Sequence, residues 1–177
     1  FGKEVASQLL KYMHEKESLK DVRILVGLYF QKSPNSMLPG TFKYVGISHK
    51  DVINLERIDY QYQYLNSKYV LENDINSSNA YSNIEQAIKE IFPTSYMSAI
   101  GLYQDKVLKD VEININSNHF NKSQLLYLSQ MLSEKISGSF DNAVNIRVLI
   151  SANNKTLTLI RKESNTSKCD IYMMKGW

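Results

Sequence analysis

The 177-residue sequence is poor in cysteine, proline and glycine, and each shortage excludes a class of protein. Its single cysteine, Cys169, excludes an internal disulfide framework and a zinc site built from several thiolates. With only 3 prolines and 7 glycines beside 43% hydrophobic residues, the chain is not collagen-like, low-complexity or disordered. No apolar run approaches the roughly 20 residues of a membrane span, and the N-terminus does not read as a signal peptide. Because the first residue is Phe1, we expect the chain to be a piece of a longer protein.

The sequence also has little excess of either positive or negative charge. The sequence has 21 lysines and arginines against 18 aspartates and glutamates, a formal net charge of +3. The two signs alternate along the chain, as at Lys16-Glu17 and Lys89-Glu90, which is typical of a solvated surface. We therefore expect no nucleic-acid partner, since such a partner needs basic residues concentrated on one face.

Hydrophobic periodicity predicts three rounds of helix and strand. The first round has a helix over 3–17 and strands over 22–30, 41–47 and 59–64. The polar segment 72–83 reads as a mobile surface loop. The second round has a helix over 84–91, capped by Ser82 or Asn83, and strands over 96–104 and 107–116. The third has a helix over 122–137 that ends at Gly138, a hairpin of 143–151 with 155–162, and a last strand over 170–174.

This order predicts an α+β fold in which helices pack on a largely antiparallel sheet. We expect a single domain over 1–177, built from two or three helix–strand–strand repeats (about 1–70, 84–116 and 121–175). A short likeness between Val26-Gly27-Leu28-Tyr29 and Ile100-Gly101-Leu102-Tyr103 favours duplication, because a glycine inside a strand often marks a bulge or a close backbone approach.

The sequence contains none of the well-known catalytic or cofactor-binding motifs, so we expect no enzyme activity and no cofactor. The three histidines lie far apart, with no metal-ligand spacing between them. His14 falls on the polar side of the first helix, where we expect it to be exposed, and His119 lies in an asparagine-rich turn. The alternative is a cell-wall-directed hydrolase or transferase that uses His119 or His49 as its base. Cys169 reads as an inert small residue.

The most distinctive candidate for ligand binding is a ladder of three tyrosines. Tyr60, Tyr62 and Tyr64 alternate with Gln61 and Gln63, the pattern of a half-buried strand. Three rings on one strand face can stack on sugars or peptide side chains. The other interpretation is that the rings are buried under a helix and the glutamines are exposed to solvent.

A calcium-loop template fits the segment Asp74–Glu85. Asp74, Asn76, Ser78, Ser82 and Glu85 occupy its ligand positions. Two features argue against it: Asn79 stands where the template has glycine, and no helix is predicted to enter the loop. Such residues are also typical of any turn followed by a helix cap. The question of calcium binding therefore stays open, and we predict no metal site.

Taken together, the residues resemble the C-terminal half of the CamS family of Gram-positive sex-pheromone precursor lipoproteins. The resemblance covers nearly the whole chain, and several segments carry it: Gly2–Leu10, Gly27–Phe30, Asn35–Phe42, Phe92-Pro93 with the strand around Gly101, and Ser151–Asn154.

The resemblance implies an extracytoplasmic domain of a protein that is lipid-anchored to the outer face of the cell membrane. It also implies that the pheromone is a short peptide released from a signal peptide outside these residues. The family supplies no functional residue to transfer. The expected role of the folded domain is binding or cell-envelope organisation, with an envelope ligand or a peptide as partner and membrane contact only through the anchor.

Overall fold

The computed structural model describes residues 1–49 and 52–174, apart from the side chains of His49 and Val52. The chain divides into two compact units, Phe1–Tyr62 and Gln63–Trp177. Among the described residues, no helix combines the length and the apolar character needed to cross a membrane.

The described residues of the first unit form one α-helix and four strands, followed by a fifth strand in which the unit boundary falls. In chain order these are α1 (Gly2–His14), β1 (Leu25–Phe30), β2 (Thr41–His49), β3 (Val52–Ile53), β4 (Glu56–Arg57) and β5 (Tyr60–Tyr64). The second unit contributes α2 (Lys68–Asn73), α3 (Ile75–Ile91), β6 (Tyr96–Gln104), β7 (Val107–Ser117), α4 (Lys122–Ser139), β8 (Asn145–Ala152), β9 (Lys155–Lys162) and β10 (Cys169–Met173).

In the first unit, β2 pairs antiparallel with β1, β3 and β4. Helix α1 buries Ala6, Leu10 and His14, which are spaced four residues apart and therefore lie on one face. Val5 and Leu9, which the sequence places on the apolar face, are exposed. The expectation that His14 is exposed is wrong: its side chain is 7% exposed, and Nε2 lies 3.3 Å from the carbonyl oxygen of Val22.

The second unit is built on a six-stranded sheet in the order β10-β9-β8-β7-β6-β5. Pairing is antiparallel between β10 and β9, β9 and β8, and β7 and β6, whereas β7 and β8 run parallel. Helix α4 lies between these two parallel strands in the chain, because parallel neighbours need a long crossover connection. The expected α+β class with a mostly antiparallel sheet is confirmed.

One hydrophobic core holds the second unit together. Alternate residues of the central strands are buried, as in Val111, Ile113 and Ile115 of β7. The buried stripes of α3 and α4 join the same cluster, with Ile84 and Leu128 as fully buried members. Helices and sheet thus bury their apolar faces against each other, which is what drives two layers to pack.

The expectation of a mobile loop over 72–83 is wrong, because α3 begins at Ile75 and most of that segment is helical. Asparagine and serine are less favourable than alanine in a helix by only a few tenths of a kcal/mol per residue. Burial in the tertiary structure can outweigh this difference in helix propensity. Ser77, Ser78, Ala80 and Tyr81 are buried against the rest of the unit. The helix cap is Asp74, not Ser82 or Asn83. Helix α2 is present although the sequence pattern does not predict a helix at these residues.

Three other boundaries differ from expectation. Helix α4 continues through Gly138 and ends at Ser139, because the glycine keeps helical geometry. The first helix ends at His14 rather than residue 17, and the first strand begins at Leu25 rather than residue 22.

The hairpin of β8 and β9 is present, with positive φ at both Asn153 and Asn154. The helix–strand–strand repeat within one domain stays a prediction.

Candidate functional site

The second unit carries an open groove with a volume of about 850 Å³, within the range typical of ligand-binding clefts. Three segments line it: the start of α3, the turn and first residues of β7, and the end of α4 with the loop that follows. Each segment contributes a different kind of side chain, and these differences define what the groove can bind.

Helix α3 lines the groove with amides. Asn76, Asn79 and Asn83 are three and seven residues apart, so they share one face of the helix. All three are exposed, and within the described part of the chain none of their side-chain amides has a hydrogen-bond partner. A carboxamide offers both donors and an acceptor, so this face can pair with groups of either kind.

Asp74 lines the groove and caps the start of this helix. Its Oδ1 accepts a hydrogen bond from the backbone N–H of Ser77 at 3.2 Å, which caps α3. Its Oδ2 accepts a hydrogen bond from the Tyr103 hydroxyl at 3.1 Å. Burial, followed by the charge of Asp74, raises the pKa of Tyr103 well above its usual value. The tyrosine therefore stays protonated and continues to donate at any physiological pH.

The tight turn between β6 and β7 brings two lysines to the groove. Asp105 and Lys106 have φ values of 50° and 68°, the left-handed conformation that two-residue hairpin turns require and that glycine adopts most easily. Lys106 and Lys109 both line the groove and are exposed. Within the residues that the structure describes, neither forms an ion pair, so both ammonium groups are open to an external anion.

The end of α4 forms the third wall. Gly138 is exposed there, and a Cβ built on it would meet no atom within 4 Å. Phe140 is the aromatic residue among those that line the groove, but it is only 9% exposed. The Asp141 carboxylate accepts a hydrogen bond from the backbone N–H of Ala143 at 2.8 Å, which fixes the loop. Carbonyls in the last turn of a helix lack intrahelical partners, so this wall is rich in acceptors.

A buried lysine supports the same loop from behind. Lys162 is 1% exposed, and its Nζ donates to the carbonyl oxygens of Asn142 and Val144 at 3.2 and 3.3 Å. These two hydrogen bonds from one ammonium group stabilise the loop that contains Val144.

These features give the groove a defined chemistry. Both carboxylates that line it, Asp74 and Asp141, are engaged in hydrogen bonds with the protein, whereas Lys106 and Lys109 face solvent. The groove can therefore hydrogen-bond a neutral polar chain along the amides of α3 and attract a negative group at the lysines.

The tyrosine ladder lies elsewhere in the molecule. Tyr60, Tyr62 and Tyr64 form β5, the edge strand of the six-stranded sheet, and none of them lines the groove. All three tyrosines are partly buried, and so are Gln61 and Gln63. The separation of buried and exposed faces that alternation suggests is absent, and the ladder stays a predicted ligand platform.

In the second unit, His119 and Cys169 each lie next to backbone groups of their own surroundings. His119 is exposed in its turn, where its backbone oxygen accepts a hydrogen bond from the Ser117 hydroxyl at 3.4 Å. The side chain of His49 lies outside the described residues. Cys169 packs beside α4, with its Sγ 3.6 Å from the carbonyl oxygen of Ser133.

The calcium-loop template is wrong because its segment is a continuous helix. Asp74 and Glu85 are separated by roughly 16 Å of helix axis, so the residues between them cannot wrap around one ion. Asp74 already caps the helix, and Glu85 forms an ion pair with Lys89 at 2.9 Å. Among the residues described by the structure, no three His, Cys, Asp or Glu side chains are grouped to hold a metal.

The asparagine face is the main feature that sequence reasoning missed. The signal was present, since Asn76, Asn79 and Asn83 recur at helical spacing. The high content of asparagine and serine predicts a loop instead, and in a loop this spacing does not place residues on one face.

Comparison with known proteins shows a family that covers most of the chain. No curated protein matches it. The C-terminal domain of the sex pheromone staph-cAM373 precursor from Staphylococcus aureus has 20% sequence identity and a TM-score of 0.88, over 99% of this chain and 54% of that one. The sex pheromone precursor from Lactobacillus salivarius has 17% sequence identity and a TM-score of 0.86, over 99% of this chain and 53% of that one. This chain thus spans about half the length of either. The family model described as CamS sex pheromone cAM373 precursor matches residues 1–168, and the chain therefore belongs to the CamS family.

Proposed function

We propose that this chain is the extracytoplasmic domain of a lipid-anchored sex-pheromone precursor, and that it acts by binding a ligand rather than by catalysis. In this proposal the pheromone peptide comes from the signal peptide, and the folded domain has a separate role at the cell envelope. The observation that carries the binding role is the groove of the second unit. It is lined by three asparagine amides and two lysine ammonium groups that have no hydrogen-bond or ion-pair partner among the described residues.

Family membership supports the extracytoplasmic location, because pheromone precursors are exported proteins. The groove supports binding over catalysis through its chemistry. Its two carboxylates already accept hydrogen bonds from the protein, Asp74 at the cap of α3 and Asp141 through Oδ1 in its loop. A general acid or base must be free to exchange a proton with a substrate, whereas lysines and amides suffice for recognition.

Gly138 allows a direct test of the groove. Its Cβ position is open, so Gly138→Trp places a large side chain at the groove wall without a backbone clash, and Gly138→Ala is the matched control. The probe is the low-molecular-mass fraction of a cell-envelope digest, and the measurement is the amide chemical shifts of the ¹⁵N-labelled chain. We expect shifts near Asn79, Lys106 and Gly138 in the wild type and in Gly138→Ala, and their loss in Gly138→Trp.

Shifts that cluster at Tyr60, Tyr62 and Tyr64 instead would move the binding site to the tyrosine ladder. If the digest shifts no resonance in the wild-type chain, the binding role is wrong.

The anchor is tested separately on the full-length precursor in its native cell. Growth with a labelled fatty acid should label the protein, and an inhibitor of lipoprotein signal peptidase should leave an uncleaved form. A precursor that takes up no label and is released to the medium would contradict the anchoring part alone.

A further inference from the structure

We propose that the groove binds an extended peptide that carries a carboxylate, with its backbone along the asparagine face of α3 and its negative group at Lys106 and Lys109. This inference rests on the proposed binding function and specifies its ligand. It is carried by the spacing of the amides, the free lysines and the absence of an exposed aromatic platform among the residues that line the groove.

The first step concerns spacing. Asn76 and Asn83 are seven residues apart on one helix face, which corresponds to about 10 Å along the axis. An extended peptide advances about 3.3 Å per residue, so three of its residues match this length. Each carboxamide can donate to a peptide carbonyl and accept from a peptide N–H, and three of them can therefore follow a backbone regardless of its side chains.

The second step concerns the facing wall. The exposed Gly138 lies where a side chain would otherwise narrow the groove, so a ligand backbone can approach α4 closely. The last turn of a helix presents carbonyls without intrahelical partners. Peptide N–H groups that point away from the asparagines have acceptors available on this side.

The third step concerns charge. Lys106 and Lys109 are exposed and form no ion pair with any described residue. The carboxylates of Asp74 and Asp141 also line the groove, and hydrogen bonds from the protein balance part of their charge. A carboxylate on the ligand complements this end of the groove. Because both lysines are exposed, their attraction should be modest and sensitive to salt.

The fourth step separates a peptide from a sugar chain. Aromatic rings provide flat apolar faces for stacking, and the aromatic residue that lines this groove, Phe140, is 9% exposed. Hydrogen-bonding amides remain as the means of recognition, and they are complementary to a peptide backbone.

The test uses three probes on the ¹⁵N-labelled 177-residue chain: penta-alanine with a free carboxyl end, the same peptide with an amidated end, and chitopentaose. We expect penta-alanine to shift groove amides and to bind several-fold more tightly than its amidated form, since an exposed charge pair contributes about 0.2–1 kcal/mol. The difference should disappear in Lys106→Met/Lys109→Met and shrink at high salt. Gly138→Trp should abolish binding of both peptides, and Gly138→Ala should retain it.

Equal affinity for the two peptides would overturn the role of the lysines. Shifts from chitopentaose with none from either peptide would overturn the peptide inference and leave the binding function standing, and so would shifts from the envelope digest alone. If neither the digest nor any probe shifts a resonance, the binding function itself is wrong and the inference fails with it.

Discussion

The carboxylate of Asp74 accepts a hydrogen bond from the Tyr103 hydroxyl at 3.1 Å while it caps helix α3 through Ser77. One side chain therefore joins the start of the helix to a strand of the central sheet. Because Tyr103 is 1% exposed, its hydroxyl has no ready replacement partner in water. This connection places the asparagine face at the groove.

Removal of the carboxylate should be more damaging than removal of an ordinary helix cap. Asp74→Ala deletes the cap and leaves a buried hydroxyl without its acceptor, so we expect a loss of about 2 kcal/mol in the free energy of unfolding. The control is Asn121→Ala, which deletes the cap of α4 and should cost about 1 kcal/mol.

A double-mutant cycle tests the connection itself. Urea denaturation of Asp74→Ala, Tyr103→Phe and the double variant should give a coupling energy of about 1 kcal/mol. Additive losses would mean that the hydroxyl and the carboxylate stabilise the fold independently.

Stability should fall at alkaline pH because of Tyr81. Burial, with smaller contributions from the charge and hydrogen bonding of Glu85, raises the pKa of Tyr81 from 10.0 to about 12. The folded state therefore keeps a proton that the unfolded state releases above pH 10. Stability is complete below that pH and declines between 10 and 12, by at most about 1.4 kcal/mol per pH unit from this group.

Urea denaturation across this pH range checks the expectation. Tyr81→Phe has no proton to release, so its stability should decline less steeply than that of the wild type. Parallel declines in the two proteins would show that Tyr81 makes no contribution.

The turn residue Lys106 is expected to lower stability. At φ 68° a lysine is in a conformation that costs about 1 kcal/mol and that glycine adopts freely. Lys106→Gly should therefore raise the denaturation midpoint by the equivalent of about 1 kcal/mol and weaken binding of the free-acid peptide.

Asn154→Gly is the matched control. Asn154 has φ 62° in the turn between β8 and β9 and does not line the groove. Asparagine tolerates this conformation better than lysine, so the gain should be a few tenths of a kcal/mol, with no change in binding. A destabilised Lys106→Gly would mean that the lysine side chain contributes more to the fold than its backbone strain costs.

Lys162 should be important for the groove wall although it does not line the groove. Lys162→Met leaves two loop carbonyls without their donor, and we expect a loss of about 2 kcal/mol together with faster hydrogen exchange at Val144. The control Lys155→Met, on the same strand but exposed, should change stability by less than about 0.5 kcal/mol. Unchanged exchange at Val144 would show that the loop is held by other contacts.

Much of the second unit could be predicted from local patterns. Apolar residues alternate in β7, as at Val111, Ile113 and Ile115, and the leucines of α4 recur at helical spacing. Each pattern predicts both the type of element and its buried face. The turn at Asn153 and Asn154 was also predictable, because asparagine tolerates positive φ.

The beginning of α3 could not be predicted this way. Between Asn73 and Asn83 six of the nine residues are Asp, Asn or Ser, which favour turns and caps. Their helix is stabilised by Asp74, by Tyr103 from a distant strand, and by burial of Ala80 and Tyr81. Local preferences differ by tenths of a kcal/mol per residue, whereas burial of a large side chain contributes about 1.5–3 kcal/mol, so tertiary contacts decided the outcome.

Local patterns specify the α+β class, the family and most of the strands, because the periodicity of buried residues and the family-like segments can be seen in the sequence. The position of the groove depends instead on how distant segments pack together. The groove needs Asn79 from one helix, Lys106 from a turn and Gly138 from the end of another helix, and these residues meet only when the second unit packs around its core. Each of them is unremarkable in the sequence, since a site assembled across long sequence separations has no local pattern.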